Sequence, residues 1–174
     1  MNMVRNILFL VSGLGVFAAL NYAVYDKQQV VDSCDSVYLK LAPVDPRSLM
    51  QGDYMRLDYE LSRQAAQAKE KQTEKIAEAP VGRLIVACDK DGVASFVRFD
   101  DGTPLAAGEK YLVYHDGNGH VRLGAESYFF QEGDAKIYEK ATYGELRVNP
   151  AGESVLMGLC DTNRQQLGKR ASGL

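Results

Sequence analysis

Two groups of residues carry the side chains most able to do chemistry in this chain. The first is Asp45 and Arg47, in the turn Pro43-Val44-Asp45-Pro46-Arg47, followed by Gly52, Asp53 and Tyr54. The second is Glu126, Tyr128, Glu132, Glu139 and Tyr143. Acids beside aromatics suit a sugar, a cation or a peptide amine, and paired carboxylates can act as acid and base in hydrolysis. The spacing alone does not bring the groups together. A tight turn, an ion pair and solvated surface charge account for the same residues. No G-x-S-x-G, P-loop or dinucleotide fingerprint occurs, so a non-catalytic role is favoured over an enzyme. His115 and His120 straddle a turn, with no third ligand at a defined spacing. Neither a metal site nor a cofactor is therefore expected.

The elements that must position these residues are mostly short strands. Ser36 to Ala42 alternates, with Val37, Leu39 and Leu41 on one face. Tyr54 to Leu61 does the same: Met55, Leu57, Tyr59 and Leu61 share one face, and Tyr54, Arg56, Asp58 and Glu60 the other. Gly52 lets the backbone turn before this strand. Further strands are expected at 81–88 and 93–99, 110–115 and 120–123, and 143–148 and 154–159. Each pair flanks a turn: Asp89 to Gly92, Asp116 to Gly119, and Asn149 to Gly152. Asp-Gly and Asn-Pro between apolar runs are hairpin signals. A short helix is expected within 131–140. The spacing therefore predicts a mainly β domain, an antiparallel sandwich or open barrel. Residues 62–79 interrupt it. They are largely Ala, Gln, Glu and Lys, which are strong helix formers without an apolar stripe. An inserted, solvated polar helix is expected there, ended by Pro80.

The ends of the chain differ from this domain. Residues 6–25 form a 20-residue run without a charge. As a helix it would be about 30 Å long, the thickness of a bilayer core. The run is longer than a signal-peptide apolar core and lacks a small-residue cleavage site. A retained transmembrane anchor in contact with lipid is expected. Arg5 precedes it, and the positive-inside rule puts the N-terminus in the cytoplasm. The domain at 36–162, behind a linker at 26–35, then lies on the periplasmic or extracytoplasmic side of the inner membrane. Residues 163–174 read as a polar, frayed tail. From Asp26 onward there are 19 bases and 23 acids, a balance of -4. That balance argues against nucleic acid as a partner. Cys88 and Cys160 each end an apolar strand, and either buried thiols or a disulfide fits them.

Gly52-Asp53-Tyr54-Met55-Arg56-Leu57-Asp58-Tyr59 has the form G-D-Y-x-x-L-x-Y. With the upstream Asp45 and Arg47 turn, and with Gly124 to Phe129, Gln131-Glu132-Gly133 and Glu139 downstream, the chain resembles the GDYXXLXY family of bacterial membrane-anchored proteins. The resemblance marks Gly52, Asp53, Tyr54, Leu57, Tyr59 and Gly133 as motif positions. It implies an exported, membrane-anchored protein of uncharacterised activity, associated with an integral membrane partner. Two functions follow as expectations. One is an accessory or interaction subunit of such a partner. The other is a ligand-binding or hydrolytic domain with an Asp/Glu/Tyr cleft.

Overall fold

The computed structural model describes residues 2–33, 36–42, 50–51, 54–71, 80–117 and 120–168. Among the described residues thirteen elements follow in chain order. They are α1 (Asn2–Ser33), β1 (Ser36–Lys40), β2 (Met50–Gln51), β3 (Tyr54–Arg56), α2 (Glu60–Lys71), β4 (Val81–Cys88), β5 (Ala94–Phe99), β6 (Glu109–Gly117), β7 (His120–Arg122), β8 (Ser127–Phe129), α3 (Ala135–Tyr138), β9 (Tyr143–Val148) and β10 (Ser154–Cys160).

The strands pair as the turn chemistry requires. Asp89 accepts the backbone N–H groups of Asp91 and Val93 at 2.8 and 2.9 Å, fixing the β4–β5 turn. Asn149 does the same for Glu153 at 2.9 Å in the β9–β10 turn. These side chains replace backbone partners, which is why Asp and Asn initiate turns. One sheet has the order β5-β4-β6-β7 and another β1-β9-β10. A parallel bridge between Tyr38 and Val93 joins them, with the Tyr38 N–H donating to the Gly92 carbonyl at 2.9 Å. The result is a curved antiparallel wall of half-barrel form. A small sheet, β2-β3-β8, stands beside it. The Ala42 N–H donates to the Asp58 carbonyl at 2.8 Å, tying the end of β1 to the segment after β3.

The expected alternation holds on the inner face. Val37, Leu39, Leu84, Leu112, Leu146 and Leu159 are all at most 1 % exposed and form one cluster with Met55, Leu57 and Tyr59. Leu61 is also buried, but it lies in α2 rather than in a strand. The strand expected over 54–61 is therefore shorter: β3 stops at Arg56 and the helix begins at Glu60.

The inserted helix is not a solvated appendage. Leu61 and Ala65 are buried, and Ala66 and Ala68 pack against the core. Leu61, Ala65 and Ala68 stand at i, i+4 and i+7, so they share one face. Alanine is small enough for the helix to lie close against β1, β5 and β7. Lys69 on α2 pairs with Asp116 on β6, with both side chains about one-fifth exposed. Replacing Asp116 by Asn leaves the Lys69 ammonium half-buried without its counter-charge. The expected loss is about 1–2 kcal/mol, read from the urea midpoint. An unchanged midpoint would show that the pair does not hold α2 down.

The described part of the tail, 163–168, is anchored by the turn at Asp161. Asp161 accepts the N–H groups of Asn163 and Gln165, at 2.8 and 2.9 Å. Arg164 reaches Asp91 at 3.1 Å, and Leu167 packs on the core. Residues 169–174 of the expected polar tail lie outside the described residues. Cys160 is buried and Cys88 half-buried, and no disulfide joins the two.

The side chains described on α1 are those of residues 7–22. Ile7, Leu8, Phe9, Leu10, Val11, Leu14, Val16, Phe17 and Leu20 are all exposed, on every side of the helix. No helix among the described residues is long and apolar enough to cross a membrane. A span needs about 20 residues, more than the described side chains of α1 cover.

Candidate functional site

The motif strand and the second acidic group do meet. β3 pairs antiparallel with β8, placing Tyr54 opposite Phe129, Met55 opposite Tyr128 and Arg56 opposite Ser127. The Leu57 N–H donates to the Glu126 carbonyl at 2.8 Å. Side chains alternate across the pair, so Met55 and Tyr128 enter the core while Arg56, Ser127 and Phe129 face out. The rings of Tyr54 and Phe129 lie 5.7 Å apart.

The motif residues have structural duties. Leu57 and Tyr59 are buried, and the Tyr59 hydroxyl donates to the Ala125 carbonyl at 2.7 Å. Tyr128 is buried edge-on against Tyr138, with ring centroids 5.1 Å apart. Gly133 has φ +94°, a left-handed conformation that glycine adopts without a Cβ penalty, and it leads into α3. Asp45, Arg47, Gly52 and Asp53 lie outside the described residues.

Among the described residues the candidate acids have separate partners. One carboxylate oxygen of Glu126 accepts the backbone N–H groups of Leu123 and Gly124, so it closes its own turn. Asp58 binds Arg63 through two hydrogen bonds, at 3.0 and 2.7 Å. Glu132 and Glu139 are exposed, before α3 and at its end. Neither lines the cleft described next. Of the four residues expected to share a site, Tyr54 and Glu126 line that cleft, Glu132 does not, and Asp53 lies outside the described residues.

A cleft of ≈ 830 Å³ opens over Leu57 and Val121, between β3, β8, α2 and β7. Its charged lining is Arg56, Asp58, Arg63, Arg122 and Glu126, with His120 beside them. The sequence reading placed Arg56 and Asp58 on the outward face of the motif strand but did not single them out. Arg63 in α2 and Arg122 in β7 carry no sequence signal that links them to the motif strand, and His120 stood out only as one of two histidines beside a turn. His115 and His120 do not face each other: His115 is opposite Arg122, and His120 is opposite Gly117. Among the described residues no group of three metal-ligating side chains exists.

Burial pushes the phenol of Tyr59 well above its ordinary range, with the nearby Glu126 carboxylate adding to the shift. Burial does the same to Tyr128, reinforced by its hydrogen bond with Tyr138. Both raised values mean that the folded state holds its protons more tightly than the unfolded chain. The stability this provides is complete below the unfolded value of about 10 and is lost as pH rises above it. The domain should therefore unfold on alkaline titration, with tyrosinate absorbance rising in step with loss of structure. Ionisation of all tyrosines with the fold intact would contradict this.

A family model described as GDYXXLXY protein matches residues 16–159. The chain belongs to the GDYXXLXY protein family. The match begins inside α1 and ends in β10, so the junction between helix and β domain lies within the shared pattern of GDYXXLXY proteins. No curated protein and no solved structure matches the chain.

Proposed function

We propose that this GDYXXLXY protein is a single-pass membrane protein of the cell envelope. Its N-terminus faces the cytoplasm, its β domain lies on the extracytoplasmic side, and it serves as an accessory subunit of an integral membrane partner. The observation that carries this reading is the exposure of α1. Its large apolar side chains are 52–74 % exposed from Ile7 to Tyr22, and they cover the whole circumference. A helix that packs on a water-soluble domain buries one stripe; one that is apolar all round requires an apolar surrounding. The run at 6–25 has no charge, Arg5 precedes it, and Asp26 and Lys27 follow it.

The helix continues from Asp26 to Ser33, about 12 Å beyond the apolar run, and β1 begins at Ser36. A link this short holds the β domain close to the bilayer surface, where it suits a membrane-embedded partner. The carboxylates of the cleft are committed to Arg63 and to backbone N–H groups, so an interaction role is favoured over hydrolysis. Affinity purification of the full chain in mild detergent tests the partner. The expected result is one integral membrane protein recovered reproducibly, and lost when the chain is expressed without residues 1–33. Recovery of the chain alone would contradict the accessory role.

A further inference from the structure

The expectation for this surface was an acidic cleft suited to a sugar, a cation or an amine. The charges found there are mixed, with cations in excess of anions. Three arginines and two carboxylates line the cleft, Arg56, Arg63 and Arg122 against Asp58 and Glu126. Both carboxylates are engaged, Asp58 by Arg63 and Glu126 by two backbone N–H groups. Arg56 and Arg122 are exposed, and the ion pairs found among the described residues involve neither of them. They come from different strands, β3 and β7, yet line the same space.

We propose that this cleft binds a small anion carrying two or more carboxylate or phosphate groups, held by Arg56 and Arg122. The guanidinium group offers a planar fork of donors that matches both of these groups bidentately. Arg63, fixed by Asp58, and the His120 ring supply further donors at the margin. The volume of ≈ 830 Å³ falls within the range of small-molecule sites. The rest of the domain is acidic, so the cleft concentrates positive charge against the overall balance of the chain. Such a focus attracts a small anion, while the surrounding acidic surface disfavours an extended polyanion. Tyr54 lines the same cleft beside Phe129, giving it an apolar rim for the carbon skeleton of an organic anion.

Calorimetric titration of the full chain in non-ionic detergent tests the site, with pyrophosphate in one arm and citrate in the other. The expected result is saturable binding of at least one probe, weakened by added salt. Arg56→Gln and Arg122→Gln should each reduce affinity about tenfold or more, and the double variant should abolish binding. Lys136→Gln on α3, outside the cleft, should bind like the parent chain. If either glutamine variant unfolds by circular dichroism, Arg56→Lys and Arg122→Lys replace them; these keep the charge but lose the fork, and should bind more weakly than the parent. Absence of saturable binding by both probes would overturn the proposal, as would full affinity in the arginine variants. Binding in detergent solution does not depend on where α1 resides, so failure here leaves the membrane reading intact.

Discussion

Replacing Tyr59 by Ala should lower the unfolding free energy by about 3–5 kcal/mol, the usual cost of truncating a fully buried aromatic ring. Tyr59 is 1 % exposed and sits where three parts of the fold meet. Its backbone bridges to Leu41 after β1, its hydroxyl holds the Ala125 carbonyl, and its ring touches the space a Cβ on Gly144 would occupy in β9. Removing the ring opens a cavity bounded by strands that cannot easily collapse together. Removing only the hydroxyl, in Tyr59→Phe, leaves the Ala125 carbonyl without its partner. That should cost about 1–3 kcal/mol. Urea denaturation of the two variants separates packing from hydrogen bonding. A Tyr59→Ala protein as stable as the parent would remove the last motif tyrosine from its structural role.

Gly152→Ala should be nearly as damaging. Gly152 has φ +92°, and an added Cβ would lie 2.9 Å from the Tyr111 carbonyl carbon and 3.0 Å from the Leu112 nitrogen. Those neighbours are backbone atoms of β6 and cannot move as a flexible side chain would. The Gly152 carbonyl also accepts the Val113 N–H at 2.8 Å, clamping the β9–β10 turn onto β6. Left-handed strain and overpacking together should cost about 3 kcal/mol. Gly102 has a similar φ of +83° but open space around it, so Gly102→Ala measures the conformational part alone. Equal losses in the two variants would show that contact with β6 contributes nothing.

Much of the β scaffold is legible in the sequence, because its turns are strongly marked. β4 and β9 occupy the stretches between turn signals, at Val81–Cys88 and Tyr143–Val148. Other features were hidden for physical reasons. β8 is only Ser127–Phe129, too short for an alternation to stand out, and it exists because β3 offers it a partner. In α2, alanines form the buried face, and a search for large apolar residues passes over them. The change from strand to helix at Glu60 is concealed because Leu61 continues the alternation of Met55, Leu57 and Tyr59 while lying in the helix.

The candidate site was legible only in part. The G-D-Y-x-x-L-x-Y pattern identified the strand that forms one side of the cleft, and with it the family. It did not identify the charges. The acids drew attention because they cluster in sequence, but Glu126 is used by its own turn and Asp58 by Arg63. Arg122 is far from Arg56 and Arg63 in the chain, and the three come together only when β3, α2 and β7 pack. Asp45, Arg47, Gly52 and Asp53 fall outside the described residues, so their expected contribution rests on sequence alone.

The membrane tether is tested most directly by fractionating cells that express the full chain, beside a variant carrying both Leu14→Arg and Phe17→Arg. Two charges at the centre of a membrane helix cost roughly 5–7 kcal/mol on insertion scales. The account predicts that the parent chain stays in the membrane fraction through high-salt washing and is released only by detergent, while the variant shifts to the soluble fraction. A parent chain that washes off in salt, or a variant held as firmly as the parent, would contradict it.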